Sequence, residues 1–256
     1  MTWTYVRFAA LLGALLWTLP TAARADDSSA RELLQRMIDA VPRVPFFAKV
    51  KLSSTTRGWV RDLQLSFKRV DDADATYMEV TAPLDVKDTR FLLYDRAQGA
   101  DEQWLYVPMM KRSIRVSETV RKQAFLGSDF YVSDMVRPDL NAFQHAFVGE
   151  EDVGGRHCKL VESVPKAPAG ELYSKTVVAV DPADLVVTRS QFFDQKGKLW
   201  KVWTIDKIEK IDGLWTPLVQ QMVNVHDNTQ SRLEITEIKY NAELSDEMFH
   251  KAYLIR

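Results

Sequence analysis

The residue types that most often carry out catalysis are scattered along this sequence. The four histidines, at positions 145, 157, 226 and 250, have neither the His-x-x-Glu-His spacing nor the paired cysteines of a zinc site. His157 and Cys158 are adjacent on a predicted strand, so their side chains point to opposite faces and cannot act together as base and nucleophile. We therefore expect no metal site and no cofactor.

Serine and carboxylate motifs give no stronger indication of an enzyme. Ser128 lies in "LGSDF", which lacks the Gly-x-Ser-x-Gly elbow, and Ser128 and Asp129 are typical of a turn or a cap. The acidic stretch "DDADA", residues 71–75, lacks the glycine and the distal glutamate of a calcium loop. We expect a protein that is not an enzyme; a hydrolase with dispersed carboxylates or a dispersed Ser-His pair stays open as an alternative.

The first 25 residues predict a cleaved secretory signal peptide. Arg7 precedes an apolar run from Phe8 to Leu19, and Ala-Arg-Ala at residues 23–25 fits the small-x-small rule for cleavage. The run has about 12 residues, fewer than the ~20 that a bilayer-spanning helix needs. We expect residues 26–256 to form one domain in an extracytoplasmic compartment.

Charge and cysteine content exclude two classes of protein. Lysine and arginine (34) nearly balance aspartate and glutamate (35) and form no basic block, so we expect no nucleic-acid partner. Cys158 is the single cysteine, so no intrachain disulfide can form. A large apolar core must therefore supply the stability of the fold.

One amphipathic helix is predicted near the start of the mature chain. In "SSARELLQRMIDAVP", Ser29 and Glu32 form a capping box, apolar residues recur at helical spacing, and Pro42 ends the run. A helix with one apolar face has to lie on another apolar surface.

From Phe46 onward the sequence predicts strands joined by tight turns. Segments such as "RDLQLSFKRV" alternate apolar and polar residues. Short turns follow at residues 154–155, 196–197, 212–213 and 227–228, which carry Gly, Asp or Asn and predict antiparallel hairpins. A sheet of about ten or eleven such strands twists and curls, and the helix can bury its apolar face inside the curve.

Several stretches place large apolar residues where neither a strand nor a helix requires them. Both faces are apolar in "QWLYVPMM" (103–110) and in "GKLWKVWTI" (197–205), and "AFLGSDFYVSDMV" (124–136) surrounds a turn with aromatic residues. Either these strands are covered on both sides, or one face lines a cavity for a lipid-like ligand. The candidate ligand-binding residues are Trp104, Tyr106, Met109, Met110, Phe125, Phe130, Tyr131 and Trp203.

Four segments together resemble one protein family: "VKDTRFLLYD", "EQWLYVPMMKRSIRV", "FLGSDFYVSDM" and "DQKGKLWKVWTIDKIEKIDGLWTPLVQQMVNV". They are similar to the outer membrane lipoprotein-sorting proteins of the LolA-like superfamily, relatives of the periplasmic lipoprotein carrier LolA. The likeness covers nearly all of the mature chain. No short motif matches the ligand-contacting residues of LolA, so the resemblance assigns no individual site residue.

The resemblance implies a mainly β fold. This fold is an incomplete antiparallel β-barrel of about eleven strands, with the N-terminal helix and a lid segment packed in its concave side. It also implies a periplasmic, monomeric carrier that passes lipid or lipoprotein acyl chains between envelope components in outer membrane biogenesis. Phe125, Phe130, Tyr131 and Met135 then either form a lid over an acyl cavity or plug the open end of the barrel.

A second role is also consistent with this resemblance. Many members are thought to serve RND-type lipid exporters of the inner membrane. The alternative is therefore an accessory subunit that docks on such a transporter and has little ligand binding of its own.

Overall fold

The computed structural model describes residues 27–96 and 101–256. The predicted signal peptide, residues 1–25, lies outside the described residues. Helix α1 (Ser28–Asp39) confirms the predicted N-terminal helix. Its N-cap is Asp27, whose side chain accepts hydrogen bonds from the backbone N–H groups of Ser29 and Ala30. The predicted capping box at Ser29 and Glu32 is therefore wrong, because the cap lies two residues earlier than Ser29.

The described residues contain thirteen strands, two more than the resemblance implied. They are β1 (Phe46–Ser54), β2 (Trp59–Val70), β3 (Ala73–Ala82), β4 (Arg90–Arg96), β5 (Glu102–Val107), β6 (Arg112–Arg115), β7 (Phe143–Val153), β8 (Arg156–Pro165), β9 (Lys175–Asp181), β10 (Val186–Phe193), β11 (Leu199–Ile211), β12 (Leu214–Asn224) and β13 (Thr229–Tyr240). Helix α2 (Glu118–Arg121) and short 3₁₀ turns at Pro108–Met110, Phe125–Gly127, Val132–Met135, Leu140–Ala142, Asp246–Phe249 and Lys251–Ile255 complete the elements.

All thirteen strands form one antiparallel sheet in the order β6-β5-β4-β3-β2-β1-β13-β12-β11-β10-β9-β8-β7. Neighbours are consecutive in sequence except at one point, where β1 pairs with β13. Strands β6 and β7 are the two edges and do not pair with each other, so the sheet stays open. This arrangement confirms the predicted mainly β, antiparallel and incompletely closed fold.

The chain between β6 and β7, residues 116–142, is the crossover segment. Because β6 and β7 lie at opposite edges, this segment has to cross a face of the sheet, which we call the inner face. It packs Phe125, Phe130 and Val132 against inward side chains of the strands, among them Leu63 and Phe91. The predicted lid segment is therefore a covering layer over one half of the sheet.

Helix α1 covers the other half of the same face. Its buried residues Leu33, Leu34 and Ile38 pack against Val161 of β8 and Val180 of β9. On the outer face, the C-terminal turns pack over β3 to β5. None of the described helices is long and apolar enough to span a bilayer.

Candidate functional site

An apolar cavity of about 260 Å³ lies on the inner face, between the end of α1 and the crossover segment. Phe125 and Met135 of the crossover segment form one side of it, and Val41 and Pro42, which follow α1, form another. Its floor is formed by inward residues of β1, β2 and β13: Phe46, Ala48, Val50, Leu52, Leu63, Leu65, Leu233, Ile235 and Ile238.

Strand alternation explains why this floor is aliphatic. In β1, Ala48, Val50 and Leu52 are buried, whereas Lys49 and Lys51 between them are exposed. The charged side chains thus point to the outer face and leave only hydrocarbon on the inner one. Opposite them, β2 contributes Leu63 and Leu65 in the same way.

Few polar groups reach the cavity. The hydroxyls of Thr216 and Tyr240 lie 2.8 Å apart and bond to each other, and the Gln220 amide donates to the carbonyl of Pro217. A cavity whose polar groups are already paired does not hold ordered water well. With its apolar lining, the cavity suits a hydrocarbon chain rather than a sugar or a nucleotide.

Asp129 fixes the crossover segment to the central strands of the sheet. Its buried carboxylate accepts hydrogen bonds from Thr229 (2.6 Å) and Ser231 (2.7 Å) of β13, and from Arg57 (3.2 Å) in the β1–β2 turn. Arg57 also donates to the carbonyl oxygen of Gly127. Ser128 donates to the carbonyl oxygen of Phe125, which confirms it as a turn former.

Asp134 provides a second anchor. Its carboxylate accepts hydrogen bonds from Lys201 Nζ (2.8 Å), from Tyr173 Oη (2.7 Å) and from the backbone N–H of Tyr131 (2.8 Å). Lys201 is fully buried, 3.9 Å from the centre of the Tyr131 ring. Burial lowers the pKa of Lys201, opposed by Asp134, and burial also raises the pKa of Tyr173.

Four of the candidate ligand-binding residues lie at or beside this segment. Phe125 lines the cavity, and Phe130 is buried in the adjoining apolar cluster. Trp203 is partly buried against the same cluster. Tyr131 lies over Lys201 and contacts Trp200 edge to face.

The other four candidates lie elsewhere. The β4–β5 register places Trp104 beside Leu92 on the outer face, where Trp104 and Tyr106 pack with the C-terminal turns. Met109 and Met110 are in the β5–β6 turn, 92% and 46% exposed. The structure therefore brings Phe125, Phe130 and Trp203 together and separates Trp104, Tyr106, Met109 and Met110 from the cavity.

Most residues of the cavity floor were not predicted from the sequence, because the candidates were chosen among aromatic and methionine side chains. The signal was present in "AKVKL" of β1 and "LEITEI" of β13, where aliphatic residues alternate with charged ones. Lys201 was also missed. It stands between Leu199 and Trp203 at an inward position of β11, where a charge requires a buried partner.

Metal binding finds no support in the part of the chain that the structure describes. No group of three or more His, Cys, Asp or Glu side chains there is arranged to hold an ion.

Comparisons with known proteins agree on the fold. The family model that matches residues 72–256 is described as "Uncharacterized protein". No curated protein matches the sequence. One solved structure is described as an outer membrane lipoprotein-sorting protein domain from Vibrio parahaemolyticus. Its sequence is 25% identical to this chain, and the TM-score is 0.82. The match covers 90% of this chain and 99% of that one.

Two further solved structures share the architecture. A DUF1329 family protein from Desulfovibrio piger is 22% identical with a TM-score of 0.81, over 90% of this chain and 100% of that one. A LolA superfamily protein from Nitrosomonas europaea is 17% identical with a TM-score of 0.65, over 88% of this chain and 98% of that one. The open sheet with its N-terminal helix is therefore a LolA-like fold.

Proposed function

We propose that this chain, which belongs to the family of the matching model and has a LolA-like fold, is a periplasmic carrier of lipid or lipoprotein acyl chains. The observation that carries the proposal is the cavity floored by aliphatic residues on the inner face. The likeness to a lipoprotein-sorting domain supports a carrier role of this kind.

The size of the cavity is compatible with useful affinity. Burying about ten methylene groups contributes roughly 8 kcal/mol, and about 8 kcal/mol corresponds to a micromolar Kd. Ordering the acyl chain and the surrounding side chains offsets part of this gain. An affinity in this range permits both loading and release, which a carrier needs.

We further propose that transfer involves no covalent chemistry. Among the described residues that line the cavity, the hydroxyl and amide groups are paired, and none is a nucleophile beside a base. The predicted signal peptide supports a periplasmic location. The alternative of an accessory subunit for an RND-type exporter gains no support from the similar structures.

The test is uptake of a fluorescent fatty acid by delipidated protein. We expect saturable binding at about one molecule per chain, because the proposed ligand occupies this cavity with a single acyl chain. Ala48→Phe should fill the floor of the cavity and abolish uptake. Lys49→Phe is the matched control, because it adds the same ring to the exposed neighbouring position on the outer face. Absence of uptake by folded wild-type protein would contradict the proposal.

A further inference from the structure

Arg61 of β2 is a charged residue on the inner face, and one of its nitrogen atoms is buried without a hydrogen bond in the described part of the chain. Its Nη1 atom is buried and has no hydrogen-bond partner among the described residues. The guanidinium lies 4.2 Å from the centre of the Trp59 ring, which supplies a cation–π contact but no acceptor for the N–H groups. Burial lowers the pKa of Arg61, and Asp85 opposes that shift without forming an ion pair with it.

Arg61 does not line the cavity itself but lies next to residues that do. It pairs in register with Leu52 and precedes Leu63 by two residues, and both leucines line the cavity floor. A Cβ atom at Gly127 would lie 3.7 Å from Arg61 Nη1, so the guanidinium lies directly beneath the crossover segment. Phe125, two residues before Gly127, forms the cavity wall there.

The crossover segment does not itself need Arg61. Arg57 already donates to the carbonyl oxygen of Gly127 and to the carboxylate of Asp129. What Arg61 lacks is an anionic oxygen, and a guanidinium binds carboxylate and phosphate oxygens through parallel N–H donors.

We propose that Arg61 binds the anionic headgroup, a carboxylate or a phosphate, of an acyl ligand whose hydrocarbon tail occupies the cavity. The proposal rests on the carrier function above and names its ligand class: single-chain anionic lipids in preference to neutral ones. The tail provides affinity through burial. Arg61 provides selectivity because a carboxylate or phosphate offers it charged, paired acceptor oxygens, whereas a neutral hydroxyl offers a single uncharged acceptor.

The experiment compares ligands that share one tail. A fatty acid, the corresponding fatty alcohol and a lysophosphatidic acid are each titrated by calorimetry into delipidated protein. Wild-type protein should bind both anionic lipids roughly tenfold to hundredfold more tightly than the alcohol, the range expected for charged hydrogen bonds. Arg61→Met should lose this preference and keep the affinity for the alcohol. Arg61→Lys, which keeps the charge, should retain part of the preference.

The outcomes separate this proposal from the carrier function. Equal binding of acid and alcohol by wild-type protein, or an unchanged preference in Arg61→Met, would overturn the role of Arg61 and leave the carrier function intact. Failure to bind all three ligands would overturn both. Inorganic phosphate that competes as strongly as lysophosphatidic acid would show that Arg61 takes a free anion, and it would overturn the assignment to a lipid headgroup.

Discussion

The ammonium group of Lys201 lies 2.8 Å from the carboxylate of Asp134, and neither side chain is more than 5% exposed. The pair joins β11 to the crossover segment across 67 residues of sequence. Tyr173 donates a further hydrogen bond to the same carboxylate. Such a buried pair is not in itself a large source of stability, but losing one partner leaves an uncompensated charge.

We predict that Asp134→Asn lowers the free energy of unfolding by about 3–5 kcal/mol, because Lys201 then loses the carboxylate with which it forms its buried ion pair. The double variant with Lys201→Met should recover part of this loss, since it removes the isolated charge. Urea unfolding followed by circular dichroism measures both changes. A single variant as stable as wild type would show that the crossover segment does not depend on this pair.

A larger side chain that fills the cavity should maintain or raise the free energy of unfolding, whereas one that overfills the packed core should lower it. Ala48→Leu adds methyl groups to existing space, so we expect a free energy of unfolding equal to or above that of wild type, with weaker acyl binding. Ala179→Leu, at an equally buried position of β9 outside the cavity, should cost about 1–3 kcal/mol. Equal destabilisation by the two variants would contradict the presence of a cavity beside Ala48.

Local features of this fold are predictable from the sequence because they depend on neighbouring residues. The predicted turns are confirmed by positive φ angles at Gly154 (59°), Gly197 (72°), Asp212 (52°) and Asn228 (51°). Alternation also identified most strands. The pairing of β1 with β13 was not predictable, because it depends on how two distant hairpin series meet.

The site was hard to predict mainly because the sequence does not show which face of the sheet each side chain occupies. Trp104 lies in a strand that is apolar on both faces, so alternation does not show which face meets the cavity. Of the four residues considered as a lid or a plug, Phe125 and Met135 line the cavity, Phe130 is buried in the core beside it, and Tyr131 lies over Lys201. The sequence indicated a turn or a cap at Asp129 and nothing at Asp134; their anchoring roles were not predictable, because their partners are far away in the chain.

The exposed methionines allow the predicted role of the β5–β6 turn to be tested. The double variant Met109→Ala, Met110→Ala should leave both acyl affinity and the free energy of unfolding within about 0.5 kcal/mol of wild type, as is usual for surface substitutions. Met135→Ala is the matched control, since it removes the same side chain from the cavity wall and should weaken uptake. A tenfold loss of affinity in the Met109 and Met110 variant would show that this turn contacts the ligand.

His157 should titrate above its ordinary pKa of 6.5. Hydrogen bonds to Asp152, and then to Glu150, favour the protonated ring and raise its pKa. Any stabilisation by these pairs is therefore present below pH 6.5 and is lost as the pH rises through the raised value. NMR titration should show a larger downward shift in Asp152→Asn than in Glu150→Gln; the reverse order would contradict the assignment.

Tryptophan fluorescence can locate the bound chain directly. Trp215 lines the cavity, whereas Trp104 lies on the outer face beneath Lys251, whose ammonium is 3.5 Å from the ring centre. Because bromine quenches indole only at close range, a brominated fatty acid should quench Trp215 and spare Trp104. We therefore expect Trp215→Phe to remove most of the quenching and Trp104→Phe to leave it unchanged, at equal ligand occupancy. If Trp104→Phe removed it instead, the ligand would bind on the outer face, beside Trp104 and Tyr106.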